Sequence, residues 1–76
     1  MRTTEIENQL RQRPFVPFRL CMSDGTSFEV RHPEMVLVSR TIIAVALHRS
    51  RARQLEGIVF CDPVHIIRIE PGPNAR

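Results

Sequence analysis

Three histidines, two cysteines and eight carboxylates are the side chains in this 76-residue chain that could handle protons, metals or nucleophilic chemistry. Cys61 and His65 stand four apart, and with Cys21 and His32 they make the one set that could surround a zinc ion. Zinc sites are usually built on close pairs, Cys-x₂-Cys or His-x₃-His, which put two ligands on one turn. Neither spacing occurs here, so the thiols read as ordinary small side chains and no metal is expected. Catalysis would need a nucleophile, a base and an orienting group converging in a pocket. There is no Gly-x-Ser-x-Gly, phosphate loop or paired-carboxylate arrangement; His32 precedes a proline in a turn and His48 heads a loop. The expectation is no catalytic residue, no cofactor and no enzyme activity.

The basic residues offer more. All eleven are arginine, a usage that fits codon bias in a GC-rich genome better than selection for bidentate phosphate contacts. Within the polar run 48–55, Arg49, Arg51 and Arg53 alternate, and on an extended loop they project to one side as a comb that could meet successive phosphates. A merely solvated loop is the competing reading. With no Trp or Tyr to stack bases, Arg would have to supply the planar surface. A net charge of +3 permits an anionic partner without demanding one.

These side chains must be positioned by a fold, and the stretch that organises it is 18–30. A two-residue Asp24-Gly25 turn would set Leu20 against Glu29, mixing apolar and polar residues on one sheet face. A three-residue loop of Ser23, Asp24 and Gly25 instead pairs Phe18 with Val30, Leu20 with Phe28 and Met22 with Thr26. That register selects a type I turn followed by a bulge, with Gly25 left-handed because it has no Cβ to clash. Arg19, Cys21, Ser27, Glu29 and Arg31 then make a wet outer face. The strands run over 17–22 and 26–31.

Upstream, Thr4-Glu5-Ile6-Glu7 fits a capping box, Ile6 and Leu10 share a helix face, and Pro14 stops the turn, which predicts a helix over 4–13. Too short to stand alone, it must lay Ile6 and Leu10 on the open end of a barrel. Downstream, His32-Pro33-Glu34 breaks the second strand. Residues 35–38 follow as a strand, with helix a competitor over 34–38 because Pro33 suits a first helical position. After a Ser39-Arg40 turn, 41–47 is apolar on both faces, as in a strand covered twice. A strand at 57–61 follows the loop. Asp62-Pro63-Val64-His65 has the composition of a tight 3₁₀ turn capped by Asp62, 66–70 is the last strand, and 71–76 is a frayed, disordered tail.

The fold class is therefore mainly β: a short N-terminal helix, then a five-stranded small barrel over 17–70 with a 3₁₀ turn before the last strand, all in one domain, 1–76. A chain this short buries only about 60% of its unfolded surface, so help from an oligomer is expected. Val59 is opposite in parity to Ile58 and Phe60, and Ile66 to Ile67 and Ile69, so both late strands carry apolar residues on two sides. Val59 and Ile66 are the expected oligomer contacts, edge to edge between neighbours. No apolar run approaches the ~20 residues that span a bilayer and no signal-peptide core follows Met1-Arg2, so a cytoplasmic protein without a membrane partner is expected.

This order resembles the SH3-like small barrels, and in particular the Sm-like family with its N-terminal helix. Phe18-Arg-Leu-Cys-Met-Ser-Asp-Gly is similar to that family's first strand and turn, and Val64-His65-Ile66-Ile67-Arg68-Ile69 to its second motif. In the bacterial Sm-like RNA chaperone the second motif carries a Lys-His pair at a uridine pocket. Val64 stands where that Lys would be, and the Gly that bends the family's second strand is missing, so only His65 carries over as a nucleic-acid contact. Arg-Pro-Phe-Val-Pro-Phe-Arg-Leu together with Val30-Arg-His-Pro-Glu34 also resembles a group of small uncharacterised bacterial proteins, which implies no function. Two readings follow. The first is a self-associating Sm-like barrel contacting RNA or another polyanion through Arg49, Arg51, Arg53 and His65. The second is an SH3-like protein-interaction module that binds no nucleic acid.

Overall fold

The structure, a computed structural model, describes residues 1–48 and 55–72. It is mainly β: one helix, α1 (Thr3–Arg11), and six strands, β1 (Phe18–Met22), β2 (Ser27–Val30), β3 (Val36–Val38), β4 (Ile43–His48), β5 (Leu55–Cys61) and β6 (Ile66–Pro71). Two 3₁₀ turns, Pro33–Met35 and Pro63–His65, precede β3 and β6.

The hairpin has the register its side chains select. Phe18 pairs with Val30 and Leu20 with Phe28, the Met22 amide donates to the Thr26 carbonyl at 2.8 Å, and Gly25 sits at φ 90°. Asp24 reinforces the turn by accepting from the Thr26 amide at 2.9 Å and the Thr26 hydroxyl at 2.6 Å.

The expected five strands are six, and among the described residues they form two three-stranded antiparallel sheets, β2-β1-β6 and β3-β4-β5, with no closed barrel. The break falls at Pro33. Proline has no amide hydrogen for a ladder, and its fixed φ starts a 3₁₀ turn in which the Met35 amide donates to the His32 carbonyl at 3.1 Å. The stretch 34–38 is accordingly part turn and part strand.

Both sheets turn their apolar sides inward. Phe18, Leu20, Val30 and Ile66 from the first meet Val36, Ile43, Val45 and Cys61 from the second, with Ile6 and Met35 completing the core. The helix docks as its spacing requires, with Ile6 fully buried and Leu10 packed at the margin. Its ends differ from expectation. The N-cap is Arg2, with no side-chain cap; starting at Thr3 puts Thr4 inside the first turn, where no capping box can form, and Glu7 pairs instead with Arg11 at 3.7 Å. The helix stops at Arg11, before residue 13, which Pro14 disfavours in helical geometry. Arg13 caps the end by donating to the Leu10 and Gln12 carbonyls at 3.0 and 2.8 Å.

Two other expectations change. Residues 71 and 72 are not a tail: Pro71 pairs with Phe18, and the buried Gly72 donates to the Pro17 carbonyl at 3.1 Å. Residues 73–76 lie outside the described residues. And the run 41–47 is not covered twice, since Ile43 and Val45 are fully buried while Ile42, just before β4, is 46% exposed.

Candidate interaction surface

Pro63–His65 is held from three directions. Asp62 accepts from the Val64 amide at 2.9 Å, the capping role its position predicts. The Met1 amino group donates to the Pro63 carbonyl at 2.9 Å, and the Ser23 amide at the hairpin tip donates to the His65 carbonyl at 2.8 Å. This last contact brings the hairpin and the second 3₁₀ turn together, so the two segments behind the Sm-like resemblance are neighbours in space. Between the tip, β5 and the turn lies an open groove of about 460 Å³, with Phe28, Val59 and Phe60 along its apolar part and Asp24, Asp62 and His65 on its polar rim.

Ser23, Asp24 and His65 invite comparison with a catalytic triad, and the geometry answers it. Ser23 Oγ lies 3.4 Å from His65 Nδ1, at the limit of a hydrogen bond between exposed groups. The Asp24 carboxylate is engaged by Thr26. Those Thr26 bonds, the hydroxyl first and the amide second, hold its pKa below the ordinary 3.8. An acid that serves a turn in this way does not orient the imidazole as a base. The contacts form a clasp between two segments.

The four zinc candidates do not converge. Cys21 lies on the outward side of β1, paired across to Ser27 and Arg68, whereas Cys61 points into the core. Both are unpaired thiols, and burial, with Asp24 second, pushes the Cys61 thiol up in pKa. Among the described residues no three His, Cys, Asp or Glu gather as metal ligands.

Arg49, Arg51 and Arg53 lie outside the described residues. Among the described residues, Arg11, Arg19, Arg31 and Arg68 are matched by carboxylates. On the outer face of β2-β1-β6 the charges alternate: Arg31 to Glu29 at 3.3 Å, Arg19 to Glu29 at 3.5 Å and to Glu70 at 3.6 Å, and Arg68 to Glu70. This is the wet face its composition predicts except at Cys21, which is only 6% exposed, and it offers no unmatched basic field.

Val59 and Ile66, the expected oligomer contacts, both face inward. Val59 stands opposite Val45 and Cys61 opposite Ile43, so β5 turns its odd-numbered residues to the core. Ile66 is 1% exposed. A bulge opposite Cys21 and Met22 adds one residue to β6, so that Ile66 and Ile69 both reach the inside and Ile67 is pushed out. Simple alternation over 66–69 misses that shift.

The outward apolar side of β5 is therefore the other one, and it continues across the sheet β3-β4-β5, whereas on the other sheet Ile67 is turned out among charged neighbours. Leu37, Ala44 and Phe60 form one rung across β3, β4 and β5, and on the next Ile58 is paired with Ala46, which is half-buried and packs against the core. Leu37 is 73% exposed, Phe60 71% and Ile58 55%. None of these five residues is ionisable. Isolated exposed apolar residues are normal on a protein surface, but a contiguous apolar sheet face marks a contact site. The clue in the sequence was the doubly apolar run 41–47, whose second side is this face. Compared with protein-family models, curated proteins and solved structures, the chain matches none.

Proposed function

We propose that this chain is a small non-enzymatic binding module that docks a protein through the outer face of β3-β4-β5. The observation that carries the reading is the contrast between the two outer faces: interlocking charges on one, and the uncharged Leu37-Ala44-Phe60 and Ala46-Ile58 rungs on the other. The strand order supports an SH3-like or Sm-like topology in which Pro33 divides the family's second strand into β2 and β3. A cytoplasmic setting would keep the two unpaired thiols reduced; no helix among the described residues is long and apolar enough to cross a membrane.

The test is capture of a partner by the wild-type chain and by Phe60→Asp. Phe60 makes little use of the core, so the variant should melt with the wild type and lose the partner. A partner held equally by both would remove this face from consideration.

The polyanion reading rests on the spacing of Arg49, Arg51 and Arg53 and on exposed His65 at the groove rim. If three single-strand phosphate contacts are made, replacing these Arg with Ala should lower the slope of log K against log salt by about 2. No RNA binding by the wild type at low salt would end that reading.

A further inference from the structure

The occupant of the β3-β4-β5 face can be argued from its relief. The central strand carries only small residues here, Ala44 and the half-buried Ala46, which packs against the core, while its neighbours carry Leu37 on one side and Ile58 and Phe60 on the other. Adjacent strands lie about 4.8 Å apart, so the two alanines floor a shallow trough between two ridges. A surface with a trough beside a ridge of the same pitch is complementary to itself when a second copy is turned over and displaced by one strand. The Ile58-Phe60 ridge of each copy then lies over the Ala44-Ala46 trough of the other, in the aligned packing that two sheets adopt face to face.

Charge and area agree. The chain carries a net charge of +3, so two copies repel at long range, and they must meet where no charge has to be stripped of water. The two rungs meet that condition; the outer face of β2-β1-β6, with five charged side chains, does not. Side chains of this size expose roughly 150–250 Å² when free, so Leu37, Ile42, Ile58 and Phe60 at 46–73% exposure present roughly 400–500 Å² per copy. Fully covered on both copies, these side chains would bury roughly 800–1,000 Å², the small end of the range for specific interfaces.

We infer that the β3-β4-β5 face binds a second copy of this chain, giving a two-fold dimer packed sheet on sheet. This rests on the reading of that face as a docking surface and names its occupant. It also replaces edge-to-edge association through Val59 and Ile66 with a contact made by the opposite side of β5.

Sedimentation equilibrium of the purified chain, from roughly 10 µM to 1 mM, tests it, the range suiting an interface at the small end of the specific class. The weight-average mass should rise from 8.8 kDa towards twice that value. Phe60→Asp and Leu37→Asp should hold 8.8 kDa throughout and melt at every concentration where the wild type melts at about 10 µM, while Ser27→Asp, on the other outer face, should still dimerise. In the wild type, NMR shifts of Leu37, Ala44, Ile58 and Phe60 should move with concentration and those of Arg19 and Glu29 should not, a measurement independent of any variant. A wild-type mass of 8.8 kDa at the highest concentration overturns the dimer, as does association that both Asp variants retain. If the monomeric wild type nevertheless captures another protein that Phe60→Asp loses, the second copy is excluded and the docking face stands.

Discussion

Two glycines show how a single residue limits this fold. Gly25 occupies a left-handed conformation at φ 90° in the hairpin turn, and Gly25→Ala should cost about 1–2 kcal/mol in urea unfolding. Gly72 matters for a different reason: a Cβ there would lie 3.1 Å from the Pro17 carbonyl carbon and oxygen. Gly72→Ala should therefore destabilise by roughly 1 kcal/mol and expose the Gly72 amide to exchange. Gly57→Ala, with nothing within 4 Å, serves as the control. Asp24 and Glu70 give the pH dependence. Thr26 lowers the first, by its hydroxyl and then its amide, and Arg68 lowers the second, by hydrogen bond and charge, from ordinary values of 3.8 and 4.5. Carboxylates depressed in the fold add stability above those ordinary values and lose it as pH falls through the folded ones. NMR titration should find both midpoints low, and Thr26→Val should return Asp24 towards 3.8.

At the scale of elements, α1 is too short to persist without its docking contact. Ile6 is the fully buried side chain that anchors it, so Ile6→Ala should lower stability by about 2–4 kcal/mol, whereas Leu10→Ala, at the margin, should cost less. Equilibrium unfolding measures both. The helix was legible because apolar residues four apart and a following proline are local signals, and the hairpin because only one loop length puts four large side chains on one face. The capping box was misread for an equally local reason: Thr4 and Glu7 have the right types, but Arg2 takes the N-cap and Arg11 takes Glu7. In β6 the bulge decided the matter. Inserting one residue reverses the parity of Ile66 relative to Arg68 and Glu70, which no count along 66–70 reveals.

For the whole molecule, the question is how a 76-residue chain whose described residues gather only ten into the core stays folded. If the dimer forms, its stability is shared between copies and the melting temperature rises with protein concentration. Wild-type chain should melt several degrees higher at 1 mM than at 10 µM, and Phe60→Asp should show no such dependence. A melting curve independent of concentration in both would count against a dimer that supports the fold. Because the two sheets remain separate, the groove at the hairpin tip and the apolar face meet at Phe60, which borders both. A partner on one is thus within reach of the other.

Composition and periodicity by themselves determined a mainly β chain with one short helix, the hairpin and its left-handed glycine, the second 3₁₀ turn and its Asp62 cap. Each of these follows from residues close in sequence, where steric and hydrogen-bonding preferences act without reference to the rest of the chain. Only the tertiary structure decided which side of β4 and β5 meets the core. Both sides of those strands are apolar, so nothing within either strand separates inside from outside; the register of Val59 against Val45 and of Cys61 against Ile43 does. That choice buries Ile66, packs Val59 half-buried against the core and leaves Leu37, Ile58 and Phe60 facing water, and from it the candidate contact surface arises.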